Sequence, residues 1–353
     1  MKFSNLMPFG SRTWKSTIGL WLIAGMLSLL PSRGYGMELI RFATLAPEGS
    51  TWMVYMHQLD DELREATGGG VGFKFYPNMS MGDEKDVIRK IRLGQVNAAG
   101  FTGRGLGEIL PEVRILELPY VFDNVREIDY VTGELTGYFE KAFAEQGFIL
   151  LGWAEVGWIY FLAKKPVAEP EDLRGTKAWM WQGDPLAEAF FKELGKSPIS
   201  FPVTDVNLSL QRGAIDAVYC SPLAALVLQW FTRLKYISDI PFTDAIGAVL
   251  LDKRTFDRLC PEHQTILKEL SRKKLRDLVL QSRSDNREAY RQLIAEGLEP
   301  VPSSSDQRRL MKEIGVRVQE RLADDLYPRE LLDRVRALIA DCRHEAGSTD
   351  NER

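Results

Sequence analysis

Residues 71–101 read VGFKFYPNMSMGDEKDVIRKIRLGQVNAAGF, and this stretch decides the fold class. Val71, Phe73 and Phe75 alternate with small or polar residues, the period of a half-buried strand, and Pro77-Asn78 breaks the run. An amphipathic helix is predicted from Asp83. Asp83, Glu84 and Asp86 stand at its head and Arg89, Lys90 and Arg92 at its foot, the charge order that complements a helix dipole. Gly94 stops it, and Val96 to Phe101 resume as a strand. Strand, helix and strand in so short a span predict an α/β protein.

Working outward, Glu38 to Leu45 reads as an earlier strand, ended by Ala46-Pro47-Glu48-Gly49. Ser50 or Thr51 then caps a helix that runs to about Thr67, where Gly68-Gly69-Gly70 stops it. The unit recurs downstream: a helix closes with Leu208 to Arg212 at Gly213, and Ala214 to Tyr219 resumes as a strand. Gly94-Gln95-Val96-Asn97-Ala98 and Gly213-Ala214-Ile215-Asp216-Ala217 share one pattern at a helix-to-strand turn, which points to two similarly built lobes. Pro261 to Gly297 reads as helix throughout. At about 1.5 Å per residue it spans roughly 50 Å, enough to brace both lobes. After a loop at Pro300 to Ser305 come two further helical segments, with a frayed tail expected from Gly347.

With 353 residues, the chain exceeds what one core usually supports. Its 45% apolar residues exclude a disordered tail protein, and 49 acidic against 45 basic residues leave no electrostatic footprint for nucleic acid. Residues 1–37 carry the marks of a cleaved export signal: basic Lys2, Arg12 and Lys15, an uncharged run from Ile18 to Leu30, and small residues at Gly34-Tyr35-Gly36. An uncleaved membrane anchor is the rival reading, but Gly19, Gly25 and Pro31 interrupt the run before it reaches a span of about 20 residues. Cleavage near Gly36 would place the chain in the periplasm. Cys220, Cys260 and Cys342 are too few and scattered for a metal site or disulfide framework, and whether Cys260 and Cys342 pair stays open. No histidine pair has metal-ligand spacing, no zinc- or serine-hydrolase motif occurs, and no cofactor is expected. Gly100-Phe101-Thr102-Gly103-Arg104-Gly105-Leu106-Gly107 imitates a dinucleotide loop. Its spacing fails at Glu108, where a glycine is needed and a carboxylate would repel pyrophosphate. An enzyme is therefore not the expected class.

The order of motifs resembles the periplasmic substrate-binding proteins of tripartite ATP-independent (TRAP) transporters, the DctP-type family. Five stretches carry the resemblance: 75–82 (FYPNMSMG), 94–98 (GQVNA), 118–122 (LPYVF), 170–177 (PEDLRGTK) and 211–217 (QRGAIDA). It implies a two-lobed α/β fold of the periplasmic-binding-protein kind, with a cleft between lobes, crossing strands and a long helix behind both. The implied lobes are residues 38–155 with about 242–285, and residues 156–241 with about 286–346, followed by a tail at 347–353. The implied partners are a small-molecule ligand, the membrane permease of a TRAP transporter and, in some members, a helical-repeat periplasmic subunit. A ligand-sensing module of the same fold is the alternative.

One departure bears on the ligand. Members of this family typically carry an arginine two residues after the lysine of the 170–177 motif, where its guanidinium fork grips a carboxylate. Here Lys177 is followed by Ala178 and Trp179, and an indole offers an apolar face and a single N–H donor. The expected second-lobe ligand residues are Trp158, Trp179, Trp181, Tyr219 and Ser221. From the first lobe they are Trp52, Tyr76, Phe101 and Arg104. So much aromatic surface predicts an apolar or amphipathic solute, with Arg104 available for a single carboxylate.

Overall fold

The computed structural model describes residues 37–350; the expected export signal at residues 1–37, Met37 excepted, and the last three residues lie outside the described residues. The opening strand–helix alternation takes the form β1 (Glu38–Thr44), α1 (Thr51–Ala66), β2 (Val71–Tyr76), α2 (Glu84–Arg92) and β3 (Ala98–Thr102). Its boundaries follow from local chemistry. The Ser50 hydroxyl accepts from the Met53 amide to open α1, and the Asp83 carboxylate accepts from the Glu84 amide to open α2. Gly94 turns the chain out of α2 at φ +71°, in the left-handed region a side chain disfavours. β1 runs parallel to both β2 and β3, with Phe42 opposite Phe75 and Ala98.

Next come α3 (Gly103–Ile109), a 3₁₀ turn at Pro111–Glu117, α4 (Val125–Glu145) and the long strand β4 (Phe148–Ala163). The second half holds α5 (Pro170–Arg174), β5 (Trp179–Trp181), α6 (Pro185–Glu193), β6 (Ile199–Phe201), α7 (Val206–Gln211), β7 (Ala217–Cys220), α8 (Pro222–Val227) and β8 (Tyr236–Ser238). The chain then returns through β9 (Thr243–Asp252), α9 (Lys253–Arg258), α10 (Pro261–Ala295), β10 (Glu299–Val301), α11 (Ser305–Leu322) and α12 (Arg329–Asp350). α12 continues through Gly347, where the sequence pattern had suggested fraying.

The main sheet has the order β2-β1-β3-β9-β4-β8-β10, with β7 also paired to β4. β4 belongs to both lobes. Its residues 148–159 pair antiparallel with β9, and its last residues, from Tyr160, pair with β7 and β8. Two register shifts interrupt the β4–β9 ladder, the second between Glu155 and Gly157, which sits at φ +101°. β5 and β6 form a separate parallel pair that adjoins β7 through a bridge between Ala178 and Ala217.

The expected long helix is α10, 35 residues from Pro261. Its Leu267, Leu275 and Leu278 pack into the first-lobe cluster around Ile40, Phe42, Met56 and Phe73. Its Leu293 packs into the second-lobe cluster with Trp179, Val206, Ile215 and Trp230. One helix thus supplies apolar surface to both cores, which no helix of average length spans.

α10 also grips the β4 bulge. The Asn286 amide nitrogen donates to the Val156 carbonyl at 2.9 Å, and its oxygen accepts from the Leu223 amide at 3.1 Å. Asn286→Ala leaves both backbone groups without their partner at a buried site, and a loss of about 2 kcal/mol is expected. Urea unfolding measures it; an unchanged midpoint would show that the bulge does not need this lock.

Candidate functional site

A cavity of about 290 Å³ lies between the lobes. Its second-lobe wall is aromatic. Trp179 on β5 stacks against Tyr219 on β7, with ring centres 5.3 Å apart, and meets the edge of Trp230 at 5.5 Å. Only 2% of Trp179 is exposed, and its indole N–H donates to the Phe201 carbonyl at 3.1 Å. The single polar atom of that side chain is therefore committed to the fold, and the residue presents only ring surface. The Tyr219 hydroxyl accepts from the Trp181 amide and donates to Asp184. Burial, with the Asp184 charge beside it, pushes the Tyr219 phenol well above its ordinary range.

The first-lobe wall comes from the segment after β1, from Trp52 of α1, from Phe101 of β3 and from α3 with the turn that follows it. α3 packs unusually close to charged groups. A Cβ at Gly103 would overlap the Glu117 carboxylate, one at Gly105 would stand 2.7 Å from Glu84, and one at Gly107 would stand 2.8 Å from Arg114. The glycine run that imitates a nucleotide loop is thus a packing device. It lets a seven-residue helix approach three buried ionisable side chains.

Arg114 Nε donates to Glu117 at 2.7 Å, and its Nη2 lies 3.1 Å from Asp184 Oδ1, across the interlobe boundary. The Asp184 carboxylate also accepts from the Leu186 amide to open α6. The second guanidinium in the cavity wall, that of Arg104, donates from Nε and Nη2 to the Gln182 carbonyl at 3.1 and 2.8 Å. Its carbon lies 5.6 Å from the centre of the Trp181 ring. Two carboxyls sit deep in this region. Glu84 accepts from the Thr102 amide and hydroxyl, and Glu117 accepts from the Ile246 amide. Burial raises both to about 7 despite those bonds and the neighbouring arginines.

Of the nine residues the sequence singled out, the structure brings seven to this cavity: Trp52, Phe101, Arg104, Trp179, Trp181, Tyr219 and Ser221. Ser221 is there as a helix cap, its hydroxyl accepting from the Ala224 amide. Trp158 and Tyr76 are corrections. The bulge before Gly157 shifts the alternation of β4, so Ile159 lines the central cavity while Trp158 faces a second one behind the strand, with Tyr160 and Tyr290. Tyr76 closes β2, the edge strand beyond β1, where the Lys74 ammonium lies 5.5 Å from its ring. Sequence reasoning missed Arg114, Glu117, Asp184 and Trp230. For the first two a signal existed: opposite charges three residues apart within the otherwise apolar run from Val113 to Leu118 mark a buried pair on one face of a helical turn. Among the described residues no group of three or more potential ligands is arranged to hold a metal ion, and no helix is long and apolar enough to cross a membrane.

Two α/β lobes joined by a shared strand, with a helix common to both cores and a solute-sized cavity at their boundary, are the architecture of a solute-binding protein. The chain belongs to the bacterial extracellular solute-binding proteins of family 7, DctP, whose family model matches residues 42–324. It is 24% identical over 247 residues to the 2,3-diketo-L-gulonate-binding periplasmic protein of Escherichia coli, covering 69% of this chain and 75% of that one. It is also 24% identical over 213 residues to the C4-dicarboxylate-binding periplasmic protein of Rhodobacter capsulatus, covering 59% and 63%. Among solved structures, a TRAP periplasmic solute-binding protein of Ralstonia eutropha with bound (S)-2-acetolactate superposes with a TM-score of 0.80 at 18% identity, over 86% of this chain and 99% of that one. The sugar-acid-binding protein of Advenella mimigardefordensis in complex with galactonate gives the same score and identity, over 86% and 98%.

The two raised carboxyls predict a pH dependence. Folded, Glu84 and Glu117 hold their protons up to about pH 7, whereas an unfolded glutamate releases its proton near the ordinary 4.5. The folded state binds more protons between these values, so their contribution lowers stability as pH rises through that window. Glu84→Gln and Glu117→Gln are each expected to flatten the melting-temperature profile between about pH 5 and pH 8. A slope unchanged in both variants would show the carboxyls to be ionised throughout.

Proposed function

We propose that this protein is the extracytoplasmic receptor of a TRAP-type transporter, that it captures an apolar or amphipathic small molecule between its lobes, and that it delivers this solute to a membrane permease. Supporting this reading above all is Trp179, a ring with its one donor already engaged, at the position where the family typically carries a carboxylate-gripping arginine. Arg114 does not replace that grip, because Glu117 and Asp184 already hold it. The cavity wall is predominantly apolar side chain, and burial of aromatic surface is the main source of affinity such a wall offers. The relatives and structural neighbours above bind small acids and sugar acids, which are rich in hydroxyl and carboxylate groups. Hydroxyls set against the Trp179–Tyr219 stack would lose their water partners without replacement.

A thermal-shift panel with mass spectrometry of co-purified small molecules tests this reading. Medium-chain and aryl monocarboxylates and their neutral analogues are expected to raise the melting temperature, with dicarboxylates and sugar acids leaving it unchanged. The reverse pattern would assign the cavity to the polar acids bound by its relatives.

A further inference from the structure

Two N–H groups in the wall of the central cavity are buried without a partner: Nη1 of Arg104 and Nε1 of Trp181. A buried donor left unpaired is costly, by about 1–3 kcal/mol and by more when it is charged, so two around one cavity indicate a group that satisfies them. They come from opposite lobes, Arg104 from α3 and Trp181 from β5. The Arg104 guanidinium carbon lies 5.6 Å from the centre of the Trp181 ring, so the two side chains meet across the lobe boundary.

The charge balance points the same way. Of the two guanidiniums in the cavity wall, Arg114 has two close carboxylate partners. Arg104 is 7% exposed, and its contact with the Glu108 carboxylate is long at 3.5 Å. Glu84 also lies near it, but the Glu84 oxygens accept from the Thr102 amide and hydroxyl. Nε and Nη2 of Arg104 are taken by the Gln182 carbonyl, which leaves Nη1 as its unpartnered nitrogen.

We propose that Arg104 and Trp181 form an anchor, split between the two lobes, for the single anionic head group of an otherwise apolar solute. One oxygen of the head group accepts from Arg104 Nη1 and the other from Trp181 Nε1, while the apolar body lies along Trp179 and Tyr219. The bound head group then staples the lobes together beside the Arg104–Gln182 contact, so capture and closure use the same guanidinium. This assignment rests on the apolar-solute reading and makes the charge-bearing end of that solute specific. It also moves the cationic grip from position 179 in the second lobe to α3 in the first.

Matched acid and amide pairs test it: octanoate against octanamide, and 3-phenylpropionate against 3-phenylpropionamide, titrated calorimetrically into the purified protein. The acids are expected to bind about ten-fold or more tightly than the amides, as a charge-assisted hydrogen bond provides. They are also expected to compact the protein in small-angle scattering. Arg104→Gln should bring acid and amide to the same affinity, and Trp181→Phe, which keeps the ring and removes the N–H, should reduce the acid preference several-fold. Circular dichroism melts establish that each variant is folded; if Arg104→Gln is not, Trp181→Phe decides alone. Acids and amides that bind the native protein alike would overturn the anchor and leave the apolar reading standing, as would an acid preference undiminished in a folded variant. Failure of both members of every pair to bind, with or without binding of a sugar acid such as galactonate, would overturn both.

Discussion

The Glu155 carboxylate, on the strand that passes from one lobe to the other, is held through both oxygens by Arg283 Nε at 2.8 and 3.1 Å. The remaining nitrogens of Arg283 reach the two oxygens of Asp129 on α4. Strand, long helix and first-lobe helix therefore meet at one ion cluster, set one residue before the bulge that Asn286 secures. Drawing such charges out of water is expensive, and removing one partner leaves the other buried and uncompensated. The geometry therefore admits little slippage between α10 and β4. Asp244, across the ladder on β9, is wholly buried beside this cluster. Burial and the neighbouring Glu155 charge push its carboxyl well above the ordinary range.

Fixing that point fixes the cavity, because β4 forms part of its floor through Glu155, Val156 and Ile159. The bulge decides which aromatic residues of the strand belong to the site. Periodicity of two assigns faces correctly only while the ladder is unbroken, and an inserted residue exchanges the faces of everything after it. Nothing in the sequence marks this bulge, so the face taken by Trp158 was not legible there, whereas Trp179 and Trp181 share one face of a short uninterrupted strand. The strand and helix starts were legible for a related reason: Ser50, Asp83 and Gly94 act on groups within a few residues of themselves. Arg114 and Asp184 are 70 positions apart, and nothing local to either encodes their meeting.

The glycines at 103, 105 and 107 show how a motif can carry the right residues for another purpose. They imitate a loop whose backbone is reserved for a phosphate, although the spacing fails at Glu108. In the structure the same reserved space is filled from within the protein, by Glu117, Glu84 and Arg114. Small residues and buried charges are two halves of one arrangement, since a side chain on α3 would displace the ionisable groups from their hydrogen-bond partners.

Trp179 has a consequence for how binding preference changes within a lineage. Its ring stacks on Tyr219 and meets the edge of Trp230, and its N–H serves the Phe201 backbone. An arginine placed here would lose the Phe201 bond and the ring contacts, and would set a charge against Tyr219 and Trp230. A change of binding preference at this wall therefore involves positions 179, 219 and 230 together, because the rings at 219 and 230 both pack on the indole at 179.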